Sequence, residues 1–437
     1  MAPLTILILG TCDTKLSELL YLRSRLLSHH EQASILLIDV GRSPVSHPAI
    51  SISQHEIVTK YRGTTENPWN LEKLPRSEVV AYMIEGATAC VQHLCQTQSV
   101  HAVVSIGGSG GTSLAAAAMR HSVPFTVPKL IVSTVASGDT SSFVGENDIT
   151  MMYSIVDIAG SNKILKDVLD NAAGATVGMA VAYRKRLEDS GEEQSAVDKK
   201  EGKAKKRVGI TMFGVTTPCV DAMRQHLTEK YGYEVFVFHA TGHGGRAMER
   251  MISAGELDAV VDLTTTEIAD HIVGGVMSAG PHRLEAAAKA EIPQVLSVGA
   301  CDMVNFGPRS TVPERFAKGN RNIYEHNPSV TLMRTDAEEC RQIGEFIAGK
   351  LKKFCRSSSL VQVILPTGGV SMIAKPGDPY YDREADDALF TAVEEGLKGK
   401  GIEVLRDERD INDDTFALET AERLVRLIDL ADESTNK

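Results

Sequence analysis

Ser105-Ile-Gly-Gly-Ser-Gly-Gly-Thr-Ser113 lies between an apolar run, His101-Ala-Val-Val-Ser-Ile106, and an alanine-rich one, Leu114-Ala-Ala-Ala-Ala-Met119. The first run reads as a buried parallel strand and the second as a helix. Four glycines in five positions between them let the backbone turn tightly and bring its N–H groups close to a ligand. The helix N-terminus adds partial positive charge. Gly107, Gly108, Ser109, Gly110, Gly111 and Thr112 are therefore predicted to bind an anion, with a nucleotide phosphate as the leading candidate. The turn carries neither the Gly-Lys-Ser/Thr of a Walker A loop nor the six-residue dinucleotide fingerprint. A turn that needs glycine for its geometry alone is the competing reading.

The same alternation extends to both sides. Upstream come a strand at Thr5–Leu9, a helix at Leu16–Leu27, a strand at Ile35–Val40 and a helix at Ser77–Leu94. Downstream come a strand at Lys129–Thr134 and one long helix over Lys163–Arg186, either continuous or broken near Gly174. Residues 188–206 are dense in charge and have no apolar period, as a domain linker would. Strands are then predicted at Arg207–Phe213, Glu234–His239, Asp258–Leu263, Gln294–Val298, Val361–Leu365 and Glu403–Leu405. Helices fall between them, including Asp336–Lys353, Asp382–Leu397 and Asp414–Asp429. Such alternation predicts two Rossmann-like, doubly wound parallel sheets over residues 1–187 and 207–437, with a ligand cleft between the halves. The polar stretch Gly41–Pro75, holding Pro44, Pro48, Pro68 and the single Trp69, is a lid, an oligomer contact or a plain surface excursion.

Size and composition agree with this. At 437 residues the chain exceeds one ordinary core. A net charge of −11 argues against nucleic-acid or membrane partners held by bulk electrostatics. Cysteines 12, 90, 95, 219, 301, 340 and 355 form no CxxC pair, and Met1-Ala-Pro-Leu4 runs straight into a strand with no signal peptide. Both features lead us to expect a reducing, cytoplasmic location. No apolar stretch reaches membrane-spanning length.

Further strand-end turns are small and polar. Gly10-Thr-Cys-Asp-Thr-Lys15 offers Gly10, Asp13, Thr14 and Lys15 to a ligand, although Asp13 or Thr14 would equally cap a helix. Ser133-Thr-Val-Ala-Ser-Gly-Asp-Thr-Ser-Ser142 has six hydroxyls, with Ser133, Thr134, Ser137 and Gly138 as candidate contacts. Asp139 there is a candidate magnesium ligand, because magnesium takes one or two carboxylates plus phosphates. In the second half, Gly214, Thr216 and Thr217 follow one strand. His239-Ala-Thr-Gly-His-Gly-Gly-Arg246 follows another and supplies His239, His243 and Arg246 for anion binding or acid–base work. Asp262-Leu-Thr-Thr-Thr-Glu267 adds Thr265, Thr266 and Glu267, the last as candidate general base or as part of a helix cap. Asp302, in Gly299-Ala-Cys-Asp-Met-Val-Asn305, is the second candidate metal ligand, and Cys301 beside it reads as structural.

Gly10–Lys15, Gly107–Ser113, Ser133–Gly138, Met212–Cys219, His239-Ala-Thr-Gly242, Gly244–Glu249, Val298-Gly-Ala300, Asp302–Pro308 and Glu325-His-Asn327 form an ordered set across the chain. The set resembles the ATP-binding amino-terminal domain family of the plant tomato mosaic virus resistance protein, which also occurs as stand-alone relatives in bacteria and fungi. The resemblance implies a two-subdomain α/β protein that binds ATP at the subdomain cleft and forms a dimer. The plant protein also carries a TIM-barrel-like domain without counterpart in these residues, so virus inhibition is not carried over. Three functions are open on this basis: an ATP-dependent enzyme acting on an unidentified small molecule, a nucleotide-dependent protein-binding module without turnover, or an enzyme for a phosphorylated or carboxylated metabolite that does not use ATP.

Overall fold

A computed structural model describes residues 3–62, 75–160, 162–197 and 205–435. The chain divides into two compact units, Met1–Gly202 and Lys203–Lys437.

The first unit contains β1 (Thr5–Gly10), β2 (Ser34–Asp39), β3 (Ile50–Ile52), β4 (Val100–Gly107), β5 (Lys129–Ser133) and β6 (Ile149–Tyr153). They form one parallel sheet in the order β3-β2-β1-β4-β5-β6. Alternate residues of β1 serve the two faces, as strand pleating requires. Leu7 and Leu9 pack beneath the helices Arg76–Thr97 and Ser109–Ser122. Ile6 and Ile8 pack against Cys12–His29 and Lys163–Val197. Every residue of β1 and β4 is buried, which explains why they read as continuous apolar runs.

The second unit contains β7 (Arg207–Met212), β8 (Glu234–His239), β9 (Ala259–Thr264), β10 (Gln294–Gly299), β11 (Met303–Phe306), β12 (Ile323–Asn327), β13 (Val330–Arg334), β14 (Val361–Pro366) and β15 (Glu403–Asp407). Six of these make a parallel sheet in the order β15-β14-β10-β9-β7-β8. The helices Thr217–Tyr231 and Asp414–Thr435 cover one face. The helices Ala337–Phe354 and Arg383–Leu397 cover the other. Both units are thus doubly wound α/β layers, as the alternation predicts.

Several expectations need correction. The helix beginning at Lys163 runs to Val197, into the stretch expected to be linker. Its Glu, Gln and Ala residues are good helix formers even without an apolar period. Residues 198–204 lie outside the described residues. The helix also passes Gly174 without a break. A Cβ there would meet the His29 ring at 3.5 Å, an ordinary van der Waals contact. The excursion after Gly41 contains β3, the short helix Gln54–Glu56 and a π-helical turn at Ile57–Tyr61. Its remaining residues 63–74, Trp69 included, lie outside the described residues. An antiparallel sheet, β11-β13-β12, follows where only a polar turn was predicted. Among the described residues, no helix is long and apolar enough to cross a membrane.

Candidate functional site

In the first sheet the chain leaves β1 toward β2 on one side, while β4 continues to β5 on the other. The carboxyl ends of β1 and β4 therefore flank the topological switch point, the position where open α/β sheets bind ligands. A pocket of about 380 Å³ lies there, within the usual range for small-molecule sites. Its polar wall comprises Thr11, Asp13, Thr14, Lys15 and Arg42, and its apolar wall Val40, Val79, Val80, Met83 and Leu114. Gly107, Gly108, Gly110 and Gly111 complete the lining. Two separate strand-end turns predicted from sequence are thus brought to one cavity.

The glycines do different jobs. A Cβ on Gly107 would come within 3.1 Å of the Gly111 Cα and 3.2 Å of the Thr112 nitrogen, so Gly107 is required by strand-to-helix packing. At Gly108 a Cβ would meet only the Thr134 hydroxyl at 3.7 Å, and at Gly111 only the Ile106 carbonyl at 3.9 Å. Among the described residues, nothing in the packing forbids a side chain at these two positions. What their bareness leaves open is close approach to the backbone. Among the described residues, no side chain caps the helix Ser109–Ser122, so its first-turn N–H groups are offered outward.

The neighbouring helix Cys12–His29 is treated differently. Asp39, at the end of β2 and level with Gly10, accepts hydrogen bonds through Oδ1 from the Cys12 nitrogen at 3.1 Å and the Gly41 nitrogen at 2.9 Å. A buried carboxylate therefore already occupies this helix N-terminus. Burial pushes the Asp39 carboxyl up, against the pull of those two backbone donors. Asp13 Oδ2 accepts from the Arg42 and Ser43 nitrogens at 2.9 and 3.1 Å and so ties the β2 exit to the pocket. The Thr11 and Thr14 hydroxyls pair with each other at 2.9 Å. Lys15 departs from helical geometry (φ −132°, ψ 20°) at a kink on the pocket wall. Sequence reasoning missed Asp39 and Arg42, whose roles depend on strand pairing rather than on a local motif.

Other predicted contacts face inward. Thr112 and Ser133 are buried and bond each other through their hydroxyls at 2.6 Å, pinning the helix to β5. Thr134 stands beside Gly108, and its nitrogen donates to the Gly107 carbonyl at 3.3 Å. Ser137 and Gly138 are exposed beyond it. Asp139 is also exposed; the Ser141 side chain first, and then the Ser141 nitrogen at 2.9 Å from Oδ1, hydrogen-bond its carboxylate and lower its pKa.

In the second unit the hydroxyls are largely consumed by the fold. Thr216 and Thr264 share a buried hydrogen bond of 2.8 Å, and Thr217 donates to the Phe213 carbonyl at 3.2 Å. Thr265 donates to the Ser297 carbonyl at 3.0 Å, and Thr266 to the Met303 carbonyl at 3.4 Å. Gly214 is the open exception, with no atom within 4 Å of a Cβ placed there. Glu267 is buried: its Oε1 accepts from the Gly242 and Gly245 nitrogens at 2.7 and 3.0 Å, and its Oε2 from Arg283 Nε at 2.9 Å. Buried Arg283 also pairs with Asp262 and, at 3.1 Å, with Glu249. This carboxylate fills the N-terminus of the helix His243–Ser253 and anchors an internal ion network. A general base needs an accessible lone pair, and Glu267 presents none, so its predicted role does not fit.

His239 and His243 are exposed at the end of β8. The His239 ring lies 5.6 Å from that of Phe213. Arg246 donates to His243 Nδ1 at 3.0 Å and to the Ser278 carbonyl at 2.9 Å. Asp302 is fully buried; Ser371 donates to its Oδ2 at 2.7 Å, and burial raises its pKa. Neither Asp139 nor Asp302 belongs to a group of three or more metal-ligating side chains among the described residues. Cys301 is sealed, with its thiol pushed up by burial, as a structural cysteine would be.

Residues 4–185 match the model for the N-terminal domain of the uncharacterised protein family UPF0261, and residues 205–428 match the model for its C-terminal domain. A UPF0261 protein of Clostridium tetani is 42% identical over 424 residues, covering 97% of this chain and 99% of that protein. A UPF0261 protein of Mesorhizobium japonicum is 41% identical over 413 residues, covering 94% and 96%. The ToMV resistance protein Tm-1 and the ToMV susceptible protein tm-1 of Solanum lycopersicum are each 42% identical, over 87% of this chain but 50% of their own length. With both domain models matched in order and full-length bacterial relatives above 40% identity, the chain belongs to the UPF0261 family.

Proposed function

We propose that the first unit binds ATP in the pocket at the ends of β1 and β4, and that the protein is an ATP-dependent enzyme acting on a small molecule. The observation that carries this reading is the pair Gly108 and Gly111, bare where packing does not require it, at the uncapped start of the helix Ser109–Ser122. That backbone suits a phosphate chain. The apolar wall of Val79, Val80, Met83 and Leu114 suits a purine ring. Exposed His239 and His243, with Arg246, supply acid–base and anion-binding groups for a second substrate. The reading includes a homodimer, which sedimentation analysis tests. It also includes a cytoplasmic location, to which seven free, buried or half-buried thiols are suited.

Calorimetric titration of ATP into the wild type and Gly110→Asp tests the proposal, because the new carboxylate projects charge into the glycine turn. Binding to the wild type and its loss in a folded variant support it. No binding to the wild type, together with binding of a sugar phosphate or an organic acid, transfers the pocket to a metabolite enzyme that does not use ATP. Engagement of both Glu267 oxygens favours a second reading, a nucleotide-dependent protein-binding module. Turnover assays across candidate metabolites separate the two: ATP binding with negligible hydrolysis selects the module.

A further inference from the structure

The pocket mixes charges. Asp13 lines the cavity beside the glycine turn together with Lys15 and Arg42, and Asp39 lies fully buried behind it. Each carboxylate has one oxygen held by backbone donors: Asp13 Oδ2 by Arg42 and Ser43, Asp39 Oδ1 by Cys12 and Gly41. The other oxygen of each, Asp13 Oδ1 and Asp39 Oδ2, is buried without a hydrogen-bond partner among the described residues. The two groups are close, since one point beside Gly41, where a Cβ would stand, is 2.7 Å from Asp13 Oδ1 and 3.0 Å from Asp39 Oδ1. Buried carboxylate oxygens without a donor are costly and call for a proton or a cation. A polyphosphate on the facing turn would add like charge to the same small cavity.

We infer that Asp13, backed by Asp39, receives a divalent cation that enters with the phosphates of the bound nucleotide. The inference rests on the ATP reading and extends it. The donor set suits magnesium, which keeps several waters and binds through one or two carboxylates plus phosphate oxygens. It accounts for the unpartnered Asp13 Oδ1 and for the coexistence of an acidic side chain with an anion site. It also moves the expected metal position away from Asp139 and Asp302, whose carboxylates serve a local turn and a buried network. Asp39 is a positioning residue here: it orients the Cys12 and Gly41 backbone around Asp13 and adds negative potential.

The experiment is calorimetric titration of the full-length wild type with ATP, with and without magnesium, followed by the same pair of titrations on Asp13→Asn. Electron paramagnetic resonance of manganese with the wild type and ATP is run in parallel. Magnesium is expected to tighten ATP binding by at least about tenfold in the wild type. In Asp13→Asn that enhancement disappears, while metal-free ATP binds as well as or better than before because a repelling charge is gone. The manganese spectrum should show the ion immobilised only when protein and ATP are both present. Equal ATP affinity with and without magnesium in the wild type overturns the cation site and assigns charge neutralisation to Lys15 and Arg42, which line the same pocket. Enhancement that persists in Asp13→Asn overturns it as well. Failure of the wild type to bind ATP under either condition is a different outcome, because it defeats the nucleotide reading itself. Should Asp13→Asn not fold, the wild-type titration pair and the manganese spectrum decide the matter.

Discussion

Replacing Gly111 by alanine adds one methyl group at the start of the helix Ser109–Ser122, where it would contact no protein atom closer than the Ile106 carbonyl at 3.9 Å. On folding alone the change is favourable. Alanine restricts the unfolded chain and is worth about 0.5–1 kcal/mol where the backbone accommodates it. For a unit of this size that raises the melting temperature by roughly 1–4 °C. The same methyl stands where a phosphate oxygen has to approach the backbone N–H groups. Loss of one charge-assisted hydrogen bond costs about 1.5–3 kcal/mol, roughly a ten- to hundredfold rise in Kd for ATP. Gly107→Ala provides the contrast: its Cβ would press on backbone atoms at 3.1 and 3.2 Å and should cost about 1–3 kcal/mol in stability. Differential scanning calorimetry and ATP titration on both variants read the two effects separately. Wild-type ATP affinity in Gly111→Ala would refute the reasoning, and so would destabilisation equal to that of Gly107→Ala.

Other consequences follow from the buried groups. Arg283→Ala leaves Asp262, Glu267 and Glu249 without their shared cation, and chemical denaturation should show a loss of about 3–5 kcal/mol; a loss below about 1 kcal/mol would contradict the network described. Burial lifts the Asp270 carboxyl to about 7, although hydrogen bonds from Asn305 pull it down. Because that folded value lies above the unfolded one of about 3.9, the stability this group contributes is complete below about pH 4 and is lost as pH rises through 7. Asp270→Asn should flatten that decline in melting temperature, with the unpartnered Asn305 Oδ1 available to turn toward the new amide; an unchanged slope would contradict the assignment. Among the cysteines, only Cys95 and Cys355 are half-buried, and even the Cys95 thiol is pushed up to about 11. A thiol reagent should label these two slowly under native conditions, and rapid labelling of Cys301 would contradict its structural role.

The parallel strands were legible because full burial forces long apolar runs, as in Thr5–Leu9 and His101–Ile106. The short edge strands Ile50–Ile52 and Ile149–Tyr153 were not, because half-exposed residues carry no such signal. The antiparallel strand Met303–Phe306 was hidden in the same way by a polar turn directly before it. The glycine turn could be read because its chemistry is local. Asp39 could not, since its position beside the Cys12 nitrogen exists only once β1 and β2 pair. Glu267 was misread for a related reason: a carboxylate at a strand end looks the same whether it faces solvent or a buried arginine. Only folding brings Arg283, from an irregular segment, to it. The inward hydroxyls of Thr112, Ser133, Thr265 and Thr266 make the same point, because composition does not reveal which way a side chain turns.

Hydrogen–deuterium exchange with and without saturating ATP is the decisive measurement, because it reports the backbone N–H groups proposed to hold the phosphates. Exchange is expected to slow in peptides spanning Gly107–Thr112, with the second-unit turns His239–Arg246 and Thr265–Glu267 far less affected. Protection confined to those second-unit turns, with Gly107–Thr112 unchanged, would contradict the proposed site.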